Sequence, residues 1–191
     1  MTGVLSEAAE AATGLLFLTL AGHRTTMRAL PRPPVHGRLA PPDVTSEQVQ
    51  RQATMVRLMS ITESFCATRL LDGAEATMNP GANELTSIIW DDAAIDATKT
   101  WESQKDAFKK WFDVRPDWTE IDGLAEARNA VAHGLGSLTR RQLKSRASTM
   151  TKLGRTKISV ANDRLLLTDA DLVRAVKKCR DLIAELDELT R

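Results

Sequence analysis

Three residues near the middle of the chain have the types and spacing that phosphodiester cleavage requires: Arg128, Asn129 and His133. Asn129 and His133 are four positions apart and therefore share one face of a helix, which the long Arg128 side chain can also reach. Arginine offers two donors to a phosphate, and histidine transfers protons near neutral pH. Asparagine can hold a phosphate oxygen or fix the tautomer of the imidazole. These residues predict a catalytic site.

No cluster of acidic residues that would hold Mg²⁺ lies nearby in the sequence, so we expect neither a metal nor a cofactor.

Positive charge is concentrated beside this site, although the formal net charge of the chain is only +1. The sequence between Glu126 and Asp163 contains no acidic residue. The same interval holds eight basic residues, namely Arg128, Arg140, Arg141, Lys144, Arg146, Lys152, Arg155 and Lys157. Such a local cluster is typical of a surface that binds a polyanion. We therefore predict that RNA is contacted by Arg140, Arg141, Lys144 and Arg146. The alternative is a solvated basic loop with no ligand.

The helix that carries the motif has sequence signals at both ends. Asp117 and Glu120 have the spacing of a capping box, which predicts a helix beginning near residue 118. Gly134 offers the left-handed residue that commonly ends a helix, so His133 is predicted to lie in the last turn.

Apolar spacing predicts the other elements of the fold. Helices are expected over residues 45–71 and 91–112, and from a cap at Thr168 to about residue 189. Two short β-like runs, 157–160 and 164–167, predict a hairpin, and the residues between the motif and this hairpin form a polar, basic connector. The predicted fold is all-α, a four-helix-type bundle with a small β-hairpin before the last helix.

Residues 1–44 are predicted to be an N-terminal appendage to the domain at 45–191. Residues 6–20 can form a short helix, and a Pro-rich linker follows, with prolines at Pro31, Pro33, Pro34, Pro41 and Pro42. The appendage can fold back on the domain or cover a partner, and the sequence leaves both possibilities open.

Neither a membrane nor a disulfide framework is expected. The apolar stretch 14–21 is too short to span a bilayer, and Glu7 and Glu10 precede it where a signal peptide has basic residues. Cys66 and Cys179 are far apart and lack metal-ligand spacing, which predicts two buried free thiols. The sequence therefore indicates a cytoplasmic protein.

Residues 124–134, LAEARNAVAHG, resemble the motif of the HEPN superfamily. That motif is an arginine, then a polar residue, often asparagine, and a histidine after four to six intervening positions, on the penultimate major helix of a bundle. Residues 135–139 and the hairpin resemble prokaryotic members of the RiboL-PSP-associated HEPN type. The resemblance extends from about Thr45 to the C-terminus, and only the central motif is specific.

The resemblance implies an endoribonuclease of toxin or phage-defence type that cleaves RNA without a metal and leaves 2′,3′-cyclic phosphate and 5′-hydroxyl ends. Arg128 would orient and neutralise the scissile phosphate, and Asn129 would support it. His133 would act on the 2′-hydroxyl or on the leaving oxygen. A homodimer with the two motifs facing each other is also implied, together with an antitoxin or defence-system partner protein.

The chain departs from the family in one informative respect. Some HEPN toxins are silenced by modification of a tyrosine shortly after the histidine, but Leu135 occupies that place and the chain has no tyrosine. Tyrosine modification therefore cannot control this protein. Two other functions stay open: a non-catalytic HEPN module that binds RNA or nucleotides or assembles proteins, and a structural domain that docks through its N-terminal segment.

Overall fold

The computed structural model describes residues 5–30, 45–78 and 83–189. In these ranges the chain forms eight α-helices and one antiparallel pair of strands. The elements in chain order are α1 Glu7–Ala29, α2 Ser46–Thr77, α3 Glu84–Thr98, α4 Trp101–Phe112, α5 Thr119–Gly134, α6 Arg140–Lys144, α7 Arg146–Arg155, β1 Ser159–Ala161, β2 Arg164–Leu166 and α8 Asp169–Leu189. The predicted fold class, an all-α bundle with a small hairpin before the last helix, is confirmed.

The four longest helices share the hydrophobic core. α2 packs against α1, α5 and α8, and α1 also packs against α8. The apolar residues of α2 recur at helical spacing, and Met55, Leu58, Cys66 and Leu70 are completely buried. Burying a side chain of this size contributes roughly 1.5–3 kcal/mol to folding. The predicted helix at 45–71 is therefore confirmed, and it continues to Thr77 because Ala74 keeps the buried spacing.

The single helix predicted over residues 91–112 is wrong, since two helices occupy this region. The Thr100 side chain accepts a hydrogen bond from the Ser103 amide at 3.1 Å and so begins a new helix, α4. Trp90 of α3 and Trp111 of α4 then contact each other, with ring centroids 5.9 Å apart. Trp90 is buried and Trp111 is partly buried, so this contact packs α3 against α4.

The predicted basic connector is also wrong, because it contains α6 and α7. The Thr139 side chain and Gln142 form a capping box that begins α6, and Leu153 of α7 is completely buried. α7 packs directly on α5. Gly123 permits this approach, because a Cβ atom there would collide with the Lys152 carbonyl oxygen.

The N-terminal helix folds back on the domain rather than extending away from it. Ala9 and Leu16 of α1 are fully buried in the common core. The amide of Ser6 donates to Asp187 of α8 at 2.9 Å. The predicted helix at 6–20 is thus part of a longer helix that ends at Ala29. The division at residue 44 stays a prediction, and the Pro-rich linker with its His36 lies outside the described residues.

The hairpin and the start of α8 follow local sequence signals. Val160 lies opposite Leu165, and Asn162 and Asp163 both take left-handed conformations, at φ 49° and 60°, which is the geometry of a two-residue type I′ turn. Thr168 and Asp171 cap each other at the start of α8, as predicted. The hairpin is confirmed, with strands slightly shorter than the predicted runs. No helix within the described ranges is both long enough and apolar enough to cross a membrane.

Candidate phosphodiester site on α5 and α6

The first turn of α5 is held by contacts that differ from the predicted capping box. Asp117 accepts a hydrogen bond from the amide of Thr119 at 2.9 Å, and hydrogen bonding from the Thr119 hydroxyl, together with this amide, lowers the pKa of the aspartate. Glu120 instead binds Lys178 of α8 at 2.8 Å, and its carboxylate raises the pKa of the lysine. The capping-box prediction is therefore wrong, because Glu120 forms an ion pair with α8 and does not cap the start of α5.

The end of α5 also differs by one residue from the prediction. Gly134 is still helical, and Leu135 takes the left-handed conformation, with φ at 51°. The Gly136 amide donates to the Ala130 carbonyl at 3.1 Å and so closes the end of the helix, and Gly136 itself takes φ 89°, a conformation that favours glycine. His133 lies in the last turn, as predicted.

Arg128 and Asn129 contact each other, and a third residue joins them. Nη1 of Arg128 donates to Oδ1 of Asn129 at 3.2 Å. Nη2 of Arg128 donates to Oε2 of Glu63 on α2 at 3.1 Å, and each side chain in this ion pair is 29% exposed. Glu63 thus neutralises the arginine while holding its guanidinium in place.

The role of Glu63 was not predicted from the sequence, because Glu63 lies 65 positions from Arg128. One signal for it was present. Glu63 is a charged residue next to Thr62 on the side of α2 where Met59 and Cys66 are buried. A carboxylate at the edge of a buried face commonly has a partner, because burying an unpaired charge is strongly unfavourable.

His133 differs from the other two motif residues. It lies one turn after Asn129 on the same side of α5, and its side chain is exposed. Among the described residues it has no hydrogen-bond or ion-pair partner. The structure therefore joins Arg128 to Asn129 and leaves the imidazole of His133 open to solvent.

The predicted RNA-binding residues divide into two groups. Arg140, Arg141 and Lys144 lie on α6, are exposed, and form no ion pair with the described part of the chain. Arg146, the first residue of α7, binds Asp163 of the hairpin turn through Nη2 at 2.9 Å. Exposed ion pairs of this kind contribute about 1 kcal/mol or less, so a phosphate can compete for Arg146.

The sequence between Glu126 and Asp163 contains no acidic residue, but in the folded chain carboxylates lie next to three of its basic side chains. Glu63 reaches Arg128, Asp163 reaches Arg146, and Glu126 binds Lys152 at 3.1 Å. Of the eight basic residues in the interval, five form no ion pair with the described part of the chain, and three of these five lie on α6, directly after the motif.

α6 is fixed beside the motif by two sets of hydrogen bonds. The buried side-chain amide of Gln142 donates to the backbone carbonyl of Glu126 at 2.9 Å and to its carboxylate at 2.8 Å. The loop between α5 and α6 pairs with the hairpin, since Leu165 donates to the Gly136 carbonyl at 2.8 Å and Leu138 to the Asp163 carbonyl at 2.7 Å. The basic helix and the motif helix therefore form one framework.

Potential metal ligands and thiols give no second site. In residues 5–30, 45–78 and 83–189, no group of three or more His, Cys, Asp or Glu side chains is arranged to hold a metal ion. Cys66 and Cys179 are free and buried, as predicted, and burial raises the pKa of both, that of Cys179 to about 11. Thiols of this kind are poor nucleophiles at neutral pH.

Comparisons with family models, curated proteins and solved structures found no match for this chain. The resemblance to HEPN domains consequently depends on the motif residues themselves.

Proposed function

We propose that this chain is a metal-independent endoribonuclease of the HEPN type, acting as a toxin or in phage defence. The observation that supports it most is the contact between Arg128 and Asn129 one turn before the exposed His133, beside the free cations of α6. A phosphate binder, a polar orienting group and a group that transfers protons are thus supplied by one helix.

The chemistry is a transesterification. The 2′-oxygen of the RNA attacks the phosphorus, the bond to the 5′-oxygen breaks, and the products carry a 2′,3′-cyclic phosphate and a 5′-hydroxyl. One proton leaves the 2′-hydroxyl and one is delivered to the 5′-oxygen. Arg128 has five N–H donors, of which Asn129 and Glu63 each use one, so donors remain for the phosphate. His133 performs one of the two proton transfers.

The second proton transfer provides a reason for a homodimer. His133 is the exposed histidine among the described residues, since His23 is buried. Two copies arranged around a two-fold axis with their motifs facing each other would supply one base and one acid. RNA is the substrate and the cytoplasm is the proposed compartment. An antitoxin or defence-system protein is the expected partner.

The test is incubation of the purified chain and its His133→Ala variant with total RNA in EDTA, followed by analysis of the product ends. We expect the wild type to produce 2′,3′-cyclic phosphates and the variant to produce none. Lys110→Ala, which removes an exposed side chain on α4, is the matched control and should retain activity. Equal cleavage by wild type and His133→Ala, or products that lack a 3′-terminal phosphate, would contradict the proposal.

A second candidate function is a non-catalytic module that binds RNA or nucleotides or assembles with other proteins. It is favoured by the Glu63 carboxylate, which neutralises Arg128, and by the lack of an orienting partner for His133 among the described residues. This function predicts RNA affinity that survives His133→Ala. It also predicts that replacing Arg140, Arg141 and Lys144 together makes the affinity less dependent on salt. The slope should fall by about 0.7 for each phosphate of a single strand that the variant no longer neutralises.

A further inference from the structure

One face of α1 is not covered by any part of the chain that the structure describes, residues 5–30, 45–78 and 83–189. The opposite face is buried against α2 and α8 through Ala9, Leu16 and Leu20. On the uncovered face, Leu18 is 69% exposed and Phe17 50% exposed. Leu15 of the same helix is 43% exposed as well. A contiguous exposed apolar patch commonly marks a contact surface.

The uncovered face has the spacing of a helix-pairing seam. Seven positions recur at alternating intervals of four and three residues, namely Glu7, Ala11, Gly14, Leu18, Ala21, Thr25 and Arg28. Such a repeat keeps one stripe of a helix facing a partner helix. The small residues Ala11, Gly14 and Ala21 surround Leu18, and nothing in the described structure lies within 4 Å of a Cβ atom added at Gly14. The surface can therefore admit a second helix at close distance.

The charges of α1 identify the orientation of that second helix. The acidic residues of α1 are Glu7 and Glu10, in its first turn, and its arginines are Arg24 and Arg28, near its end. All four are exposed, and none has an ion-pair partner among the described residues. Residues 11–22, between the two groups, carry no charge. A parallel copy of α1 would place like charges together, whereas an antiparallel copy would place acids against arginines.

We propose that the uncovered face of α1 binds α1 of a second copy of this chain in antiparallel orientation. In the register that best matches the charges, Glu7 lies opposite Arg28 of the second copy, and Gly14 lies opposite Ala21. Leu18 and Phe17 then meet at the two-fold axis. Each ion pair occurs twice, because a two-fold interface uses the same surface of both copies.

This interface is separate from the candidate site. α1 packs on α2 and α8, and the proposed interface is the face of α1 that points away from both, whereas α5, which carries His133, packs mainly on α7 and α2 and less on α8. The pairing of α1 therefore does not depend on the proposed ribonuclease function, and it leaves the motif surfaces of the two copies free. A chain that used both interfaces would assemble beyond a dimer.

The first experiment measures the mass of the full chain by sedimentation equilibrium over a range of concentrations. We expect the wild type to associate, and Leu18→Glu to weaken the association at least about 10-fold, as for a side chain at the centre of an interface. Val173→Glu, at an isolated position of α8 that is 44% exposed, is the matched control and should leave the mass unchanged. Leu135→Glu, beside His133, tests the motif surface. A monomeric wild type overturns the proposal, as does a dimer that only Leu135→Glu dissociates.

Charge reversal tests the orientation. Glu7→Arg alone and Arg28→Glu alone should each weaken the dimer, because each places like charges together at two symmetric positions. The double variant Glu7→Arg/Arg28→Glu should restore it. The wild-type charges also suit the helix dipole, which the double variant opposes, so recovery of the dimer cannot come from helix stability. Failure of the double variant to recover overturns the antiparallel pairing.

A crosslink serves as the measurement if Leu18→Glu fails to fold. Leu18→Cys should form a disulfide-linked dimer under mild oxidation, because residue 18 lies at the two-fold axis. The native thiols Cys66 and Cys179 are buried and should not react. Val173→Cys should crosslink at least about 10-fold more slowly. Equal rates for the two variants would overturn the proposal. So would binding of the monomer to anionic vesicles that Leu18→Glu abolishes, since the face would then contact lipid.

Discussion

His23 and His133 occupy opposite kinds of surroundings in the same fold. His23 is 2% exposed, with its Nδ1 atom 3.0 Å from the Thr54 hydroxyl and its Nε2 atom 3.4 Å from the Asp169 carboxylate. His133 is exposed and has no such partner among the described residues. Both ring nitrogens of His23 thus have hydrogen-bond partners, whereas both ring nitrogens of His133 are accessible to a ligand. The comparison shows that the surroundings of a histidine, rather than its presence, indicate its availability for proton transfer.

The location of each histidine explains the difference. His23 lies on α1, Thr54 on α2 and Asp169 at the start of α8, so the imidazole connects three core helices. Arg51 donates to Asp169 at 2.7 Å, and this hydrogen bond holds the pKa of the carboxyl below its usual range. His133 instead lies in the last turn of α5, at the surface and beside the exposed Leu135. We therefore expect opposite consequences when the two histidines are replaced.

The largest expected effect is that of His133→Ala on the rate of RNA cleavage. Loss of a group that transfers protons in the transition state typically reduces the rate by about 10²–10⁴-fold. The melting temperature should stay within about 1 °C of the wild type, since exposed positions rarely alter stability by more than about 0.5 kcal/mol. Single-turnover cleavage and thermal unfolding measure the two quantities. A variant that loses both activity and stability would contradict the assignment and indicate a structural role for His133.

His23→Ala should give the reverse result. Removing the buried ring leaves a cavity and deprives Thr54 of a hydrogen-bond partner, and the free energy of unfolding should fall by about 2–3 kcal/mol. Urea unfolding measures this change. The folded variant should cleave RNA at the wild-type rate below the transition. His23→Gln, which retains a polar group, should lose less stability than His23→Ala, and equal losses would show that packing alone matters at this position.

The sequence is sufficient to predict elements that local contacts determine. Asn162 and Asp163 form their turn because both tolerate left-handed conformations, and Thr168 and Asp171 cap α8 with atoms three residues apart. The motif residues Arg128 and His133 were assigned to the correct helix for the same reason, since helical spacing is a local property.

Long-range contacts account for the wrong predictions. Gly134 is the predicted end of α5, but the chain turns at Leu135 and Gly136, and Gly136 lies against Gln52 of α2, far away in the sequence. Residues 140–155 are too polar to indicate a packed helix, and α7 forms because Leu153 is buried against the rest of the fold. The Arg128–Glu63 pair joins two helices that are far apart in the sequence. No local pattern specifies which of many carboxylates reaches a given arginine.

Glu63→Gln tests how the negative charge beside Arg128 affects RNA binding, and we expect a smaller effect than for the two histidine variants. The amide retains a hydrogen bond to Arg128 but no longer neutralises it, so RNA affinity should rise by about 3–10-fold, the change expected from a partly exposed ion pair worth about 1 kcal/mol. Fluorescence anisotropy with a labelled single-stranded RNA measures the affinity. Asp122→Asn, which removes a carboxylate from Lys105 of α4 in the same way but outside the basic interval, is the matched control and should leave the RNA affinity unchanged. A fall in affinity for Glu63→Gln alone would mean that the carboxylate serves mainly to orient Arg128.

The smallest expected effect is a gain of stability from Leu135→Gly. Leu135 follows the motif helix in a left-handed conformation, at φ 51°, and its side chain is 83% exposed, so glycine loses little packing there. A left-handed residue with a side chain is disfavoured by about 1–2 kcal/mol, and the greater freedom of glycine in the unfolded chain offsets roughly 0.4–1 kcal/mol of the gain.

The free energy of unfolding should consequently rise by about 0.5 kcal/mol, as measured by urea titration. Leu143→Gly on α6 is the control at another exposed leucine and should be destabilising by about 1 kcal/mol, because glycine is unfavourable within a helix. A loss of stability in Leu135→Gly would show that the exposed leucine packs against another surface in solution, such as that of a dimer that brings the two motifs together. The strain at Leu135 would then be tolerated because the side chain serves the interface beside His133.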